Sequence, residues 1–217
     1  MRNPRLTGTG FLSQIRCVVF DVGETLVDET RMWSELAQRL GVTPLTLSGV
    51  LGALIATGRD HRDLWGVLGV DRPAMGVDPA QGDLYPDALE CLAAVRRAGL
   101  IVGVAGNQPA TVNQVLAAAG LEADFVASSA EYGVAKPDSA FFLRVIAEAN
   151  VPADSILYVG DRVDNDVLPA RAVGMRTVFI RRGPWGYIHA LKDEAALADL
   201  RLDSLQELAS LFGPQCG

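Results

Sequence analysis

Apolar positions along the chain follow two alternating periods. Short apolar runs, several of them rich in β-branched residues, recur over 15–20, 100–105, 124–127, 155–159 and 176–180. Each suits one strand buried on both faces. Between them the spacing becomes helical. Apolar residues at 88, 89, 92, 95 and 98 predict a helix from Pro86 to Ala98, stopped by Gly99. The segments 109–119, 137–149 and 165–173 read the same way, and 204–212 forms a closing amphipathic helix with Asp203 placed as its N-cap. Strands alternating with helices of this length imply right-handed βαβ units and a parallel sheet covered on both faces.

Residues 28–80 have a different texture. Apolar positions 32, 33, 36, 37 and 40 share one helical face, closed by Gly41. Thr43 and Pro44 open a second helix, as N-cap and first residue, that runs to about Thr57. A short third helix over 60–68 precedes a Pro/Gly-bearing segment, 69–82, and the block contains no convincing strand. The expected organisation is therefore a leader at 1–14, a three-layer α/β core formed by 15–27 and 83–217, and a small α-helical insert at 28–82 after the first strand.

A chain of 217 residues has room for one sizeable core with a small accessory unit. Its net charge of −7 and pI of about 4.8 argue against a nucleic-acid surface or an anionic membrane as partner. No stretch approaches the ~20 apolar residues of a membrane span. Residues 1–10 lack an apolar signal core and read as a frayed leader. Cys17, Cys91 and Cys216 are too few and too scattered for a disulfide frame or a zinc site, which suggests free thiols in a reducing, cytoplasmic setting. The expected partner is a small molecule, and the expected state is monomer or homodimer.

The chemistry lies at the strand ends. The first strand runs into Asp21, the second into Gly106 and Asn107, and the fourth into Gly160 and Asp161, followed by Asp164 and Asp166. The loop after the third carries Lys136. Each aspartate alone is compatible with a turn or a cap, but that explanation serves poorly for all of them together. In open α/β sheets the carboxyl edge is where ligands bind. Converging there, Asp21, Asp161 and Asp166 would face one lysine, an oxygen-rich set that needs a cation and suits Mg²⁺. Such an ion would neutralise a phosphate oxyanion, leaving Asp21 as nucleophile and Lys136 as a point charge on the same anion.

The segments Phe20-Asp21-Val22-Gly23-Glu24-Thr25-Leu26, Val134-Ala135-Lys136-Pro137-Asp138 and Val159-Gly160-Asp161-Arg162-Val163-Asp164-Asn165-Asp166-Val167 resemble motifs one, three and four of the haloacid dehalogenase (HAD) superfamily. The resemblance covers about residues 15–212, and the helical insert falls where that superfamily carries a small cap. It implies a Rossmann-like core and a phosphatase whose Asp21 forms an aspartyl-phosphate that water hydrolyses. It also implies Mg²⁺ held by Asp21, Asp161 and the backbone carbonyl of Gly23, with Asp166 as a direct or outer partner, and Lys136 neutralising charge on nucleophile and phosphate. A small phosphorylated metabolite is the implied substrate.

Two positions depart from the pattern. Two residues after the nucleophile the family's phosphatases carry a second Asp, the general acid and base; here it is Gly23. A general acid is worth ~10²–10⁴-fold, so hydrolysis is expected to be slow unless Glu24, Asp60 or His61 substitutes. Motif two normally supplies Ser or Thr, where this chain has Ala105-Gly106-Asn107, leaving phosphate to the backbone N–H groups of Gly106 and Asn107. The phosphonoacetaldehyde hydrolase branch requires a cap lysine, and the only lysines are Lys136 and Lys192. A haloacid dehalogenase would use Asp21 with an arginine such as Arg31, Arg59 or Arg62, but Asp161 and Asp166 argue against it. The remaining alternative is a catalytically impaired relative that binds a phosphorylated ligand or a protein partner. Trp33 is expected in the core of the insert, Arg181 to Gly186 in an exposed loop with one packed Trp, and Arg162 either at the substrate or paired with Asp164.

Overall fold

The computed structural model describes residues 9–72 and 79–213. Residues 1–8 of the expected leader, 73–78 of the insert, and Cys216 lie outside the described residues. The elements in chain order are β1 (Cys17–Phe20), α1 (Thr30–Arg39), α2 (Pro44–Ala56), α3 (Leu64–Leu68), α4 (Ala88–Arg97), β2 (Ile101–Gly106), α5 (Val112–Ala118), β3 (Phe125–Ser128), α6 (Ser129–Tyr132), α7 (Ser139–Ala149), β4 (Ile156–Gly160), α8 (Leu168–Ala172), β5 (Arg176–Ile180), α9 (Gly183–His189), β6 (Leu200–Leu202) and α10 (Leu205–Phe212).

The six strands form one parallel sheet in the order β3-β2-β1-β4-β5-β6. Successive side chains of β1 leave opposite faces, as the pleat requires. Val18 and Phe20 join a core with α4, α5 and α10, through residues such as Leu92, Leu116 and Leu208. Cys17 and Val19 join a second core with α7 and α8, through Phe141, Phe142 and Ala170. Three layers result. β1 lies between β2 and β4, where the strand order reverses, and this is the point at which an open α/β sheet leaves a crevice at its carboxyl edge. Phe20 is level with Val104 on one side and Val159 on the other, so Asp21, Ala105 and Gly160 reach that edge together.

Between β1 and α4, helices α1, α2 and α3 pack on one another around Ala37, Leu47, Leu54 and Leu64, with Trp33 beside them. Thr43 Oγ1 accepts the N–H of Thr46 and Pro44 begins α2, as expected. No single helix among the described residues is long and apolar enough to cross a membrane.

Three local expectations need correction, and one strand was not expected. Residues 9–14, expected as leader, form a 3₁₀ helix whose Phe11 and Leu12 pack against the sheet core. Residues 181–186 are not an exposed loop: Gly183 begins α9, with Pro184 in its first turn and Trp185 buried. Strand β6 was not anticipated, because its apolar–polar–apolar triplet is too short to show a period. Ser204, not Asp203, caps α10 by accepting the N–H of Glu207, while Asp203 accepts from Arg181 Nε at 2.9 Å.

Candidate active site

Asp21 follows the last residue of β1, and its N–H donates to the Val159 carbonyl at 2.9 Å, which anchors its backbone to β4. The chain then folds back on itself. Leu26 and Val27 both donate to the Val22 carbonyl, and Glu24 donates to Val27, so residues 22–27 form a tight loop over the sheet edge. Gly160 ends β4 and delivers Asp161; a π-helical turn over Val163–Val167 then brings Asp166 underneath. Its Oδ2 accepts the Arg162 N–H at 3.0 Å.

Lys136 reaches the same point from the loop after α6. Asn107, at the end of β2, fixes that loop in both directions: Lys136 N–H donates to Asn107 Oδ1 at 2.8 Å, and Asn107 Nδ2 donates to the Lys136 carbonyl at 3.0 Å. The ammonium lies 2.8 Å from Asp21 Oδ1 and 2.5 Å from Asp166 Oδ1. Burial disfavours its charge, but Asp166 and Asp21 more than reverse that, and the pKa lies well above the ordinary lysine value. The Asn107 side chain is thus committed to holding Lys136. At Gly106, an added Cβ would stand 2.6 Å from Asp21 Oδ1, so a motif-two hydroxyl side chain has no room in this arrangement.

The carboxylates of Asp21, Asp161 and Asp166 each offer an oxygen within 4.8 Å of the others. Asp161 Oδ2 is buried with no hydrogen-bond donor. Burial, with Asp166 and Asp21 beside it, pushes the Asp161 carboxyl well above the usual range; burial also raises Asp166, to about 6, with Lys136 opposing and Asp21 reinforcing. Once all three carboxyls are ionised, they exceed the one ammonium by two negative charges in an oxygen-only set with an orphaned acceptor. These residues fit a hard divalent cation.

Above them opens a cavity of about 780 Å³, walled on the sheet side by Asp21, Lys136 and Asp161 and on the other by residues such as Arg59, His61 and Arg62. The carboxylates weighed from sequence as substitutes for the absent acid are engaged elsewhere. Glu24 Oε1 accepts the Glu29 N–H at 3.2 Å and its Oε2 accepts the Tyr85 hydroxyl at 2.6 Å. Asp60 caps the turn at Arg62 and pairs with that guanidinium. His61 is partly exposed and meets the Trp185 ring edge-on, with ring centres 5.7 Å apart. Arg162 pairs with Asp164 and lies over Trp185, 4.8 Å from the ring centre.

Not every cavity residue is marked by the sequence. Glu29, just before α1, is partly buried, and a Cβ added to Gly23 would overlap its Oε1. Its Oε2 accepts from Trp33 Nε1 at 3.0 Å. Burial, reinforced by the nearby Glu24, pushes its carboxyl up to about 7. No periodic signal marks Glu29. Only the fold-back of residues 22–27 sets it against Gly23.

The raised carboxyls give the protein a pH signature. Asp166 and Glu29 hold protons more tightly folded than unfolded. Their contribution to stability is present below about pH 4 and is lost as pH rises through about 6 to 7. A divalent cation held by the aspartates takes the place of the Asp166 proton, not of the one on Glu29. Melting curves with and without Mg²⁺ should show little stabilisation at about pH 5 and a clear increase at about pH 8, worth about 2.7 kcal/mol once the ion exceeds its Kd roughly a hundredfold. An equal shift at both pH values would contradict this assignment.

Comparison with known proteins agrees with this architecture. A family model described as haloacid dehalogenase-like hydrolase matches residues 15–174. A glyceraldehyde 3-phosphate phosphatase of Methanocaldococcus jannaschii is 33% identical over 131 residues, covering 58% of this chain and 55% of that protein. A glyceraldehyde 3-phosphate phosphatase of Methanopyrus kandleri is 28% identical over 225 residues, covering 89% and 95%. The chain spans about half the length of several curated relatives it matches. The L-2-haloacid dehalogenase of Xanthobacter autotrophicus with chloropropionic acid covalently bound superposes with a TM-score of 0.67 at 20% identity, covering 93% and 100%, a likeness of fold.

Proposed function

The chain belongs to the haloacid dehalogenase-like hydrolases, and from that premise we propose that it is a Mg²⁺-dependent phosphatase acting on a small phosphate ester through an aspartyl-phosphate. The observation that carries this reading is the buried set of Asp21, Asp161 and Asp166 around Lys136, at the switch point of the sheet. Asp21 attacks phosphorus, forming the Oδ–P bond as the bond to the leaving oxygen breaks. Lys136 holds Asp21 at 2.8 Å and shares its charge with the incoming phosphoryl group. In this reading the backbone N–H groups of Gly106 and Asn107, at the end of β2, orient that group. When bound by Asp21, Asp161, the Gly23 carbonyl and, directly or indirectly, Asp166, Mg²⁺ supplies the positive charge that balances the phosphoryl oxygens. Residues 28–82 act as the cap that selects the ester, and the small-metabolite activities in the names of the two phosphatase relatives support a substrate of that size. A cytoplasmic setting agrees with Cys17 and Cys91 being free, buried thiols.

Hydrolysis of p-nitrophenyl phosphate tests this reading. Turnover should require a divalent cation and stop when the cation is chelated. Metal-independent release of halide from a 2-haloacid, without phosphate release, would favour a dehalogenase. Tight binding of phosphate without turnover of any ester would favour a binding protein on the same scaffold.

A further inference from the structure

We propose that Glu29 supplies the acid–base carboxyl of the reaction, from the space that a side chain at position 23 would occupy. The inference rests on the phosphatase reading above and adds the residue that the sequence lacks beside its nucleophile. Its basis is steric. A Cβ built on Gly23 would overlap Glu29 Oε1 and stand 2.9 Å from Glu29 Cδ and 3.5 Å from Oε2. The glycine and the glutamate are therefore two halves of one arrangement: the side chain is absent at 23 where a carboxyl arrives from 29.

The surroundings of Glu29 suit that role. Trp33 Nε1, one turn along α1, donates to Oε2 at 3.0 Å and leaves Oε1 for the reaction. Glu29 precedes α1 but makes no side-chain cap, so its carboxyl is not spent on the helix. Glu24, the neighbour nearest in sequence to the missing acid, accepts the Glu29 N–H and thereby acts as a positioning residue. Glu29 also lines the same cavity as Asp21, Lys136 and Asp161.

The steps balance. As Asp21 Oδ bonds to phosphorus and the P–O bond to the leaving group breaks, the Glu29 carboxyl gives its proton to the leaving oxygen. Water then attacks phosphorus, Glu29 takes its proton, and the P–O bond to Asp21 breaks. Phosphate leaves, with Asp21 ionised and Glu29 protonated again.

Glu29→Gln keeps an acceptor for Trp33 and removes the exchangeable proton. Turnover of an alkyl phosphate, whose leaving oxygen must be protonated, should fall ~10²–10⁴-fold. With p-nitrophenyl phosphate the first release of p-nitrophenolate should survive, while the phosphorylated enzyme accumulates as an acid-stable label on Asp21. Gly23→Asp alone should not raise activity, because its space is taken; Gly23→Asp with Glu29→Ala should recover much of the loss in Glu29→Ala. An equal decline on both esters without accumulated label, or unchanged alkyl-phosphate turnover, would overturn the assignment of Glu29 alone. Absence of any turnover dependent on Asp21 in the unmodified protein would overturn the phosphatase reading, and this inference with it.

Discussion

Asp21→Asn should lose phosphoryl transfer by roughly 10³-fold or more, because the variant keeps the shape of the side chain and removes the attacking oxygen. Asp21 is anchored to β4 through its own N–H, it lines the cavity, and its Oδ1 already lies 2.8 Å from the Lys136 ammonium. Its side chain is 10% exposed, against 0% for Asp166, so it alone of this pair can meet a substrate. Asp166 instead accepts from both Lys136 and the Arg162 N–H and is walled in. Steady-state hydrolysis measured for Asp21→Asn and Asp166→Asn should separate the two roles. The first should show no covalent phosphoryl enzyme, whereas the second should retain some label at elevated metal concentration.

Lys136→Met should cost both stability and activity. The ammonium is 1% exposed and is within ion-pair distance of Asp21 and Asp166. Removing one member of a buried charge cluster leaves the others uncompensated, a change that typically costs about 3–5 kcal/mol. In a protein of this size that corresponds to a melting temperature lower by roughly 10 °C. Asn107 adds to the expectation: it clamps the Lys136 backbone and not its ammonium, so the loop keeps its path and the loss is electrostatic. A divalent cation should recover part of the stability by taking up the freed negative charge, yet not the activity. Calorimetry with and without Mg²⁺ checks this; a melting temperature unchanged within about 2 °C would contradict it.

The architecture was legible because parallel strands buried on both faces leave unbroken apolar runs, and the helices between them keep a 3.6-residue period. The same regularity brought Asp21, Asp161 and Lys136 to one edge on paper, and their distances in the structure agree. What the sequence hid was set by contacts far apart in the chain. α9 forms because Trp185 packs against Leu51 and Ile55 of α2, which no local pattern in 181–186 reveals. The sequence assigned Asn107 only through its backbone N–H; that its side chain holds a loop 29 residues further on was not visible. Glu29 was invisible for the same reason: only the loop of 22–27, closed by hydrogen bonds to the Val22 carbonyl, turns residue 29 back against residue 23. Gly23, read from sequence as a missing acid, is better described as the vacancy into which another carboxyl fits.

The most direct test of the central claim is rapid acid quenching of the enzyme with a ³²P-labelled phosphate ester and Mg²⁺, followed by mapping of the labelled peptide. The account predicts label on Asp21, present only with the cation and absent in Asp21→Asn. Ester turnover that persists in Asp21→Asn, with no label on the peptide carrying residue 21, would contradict it.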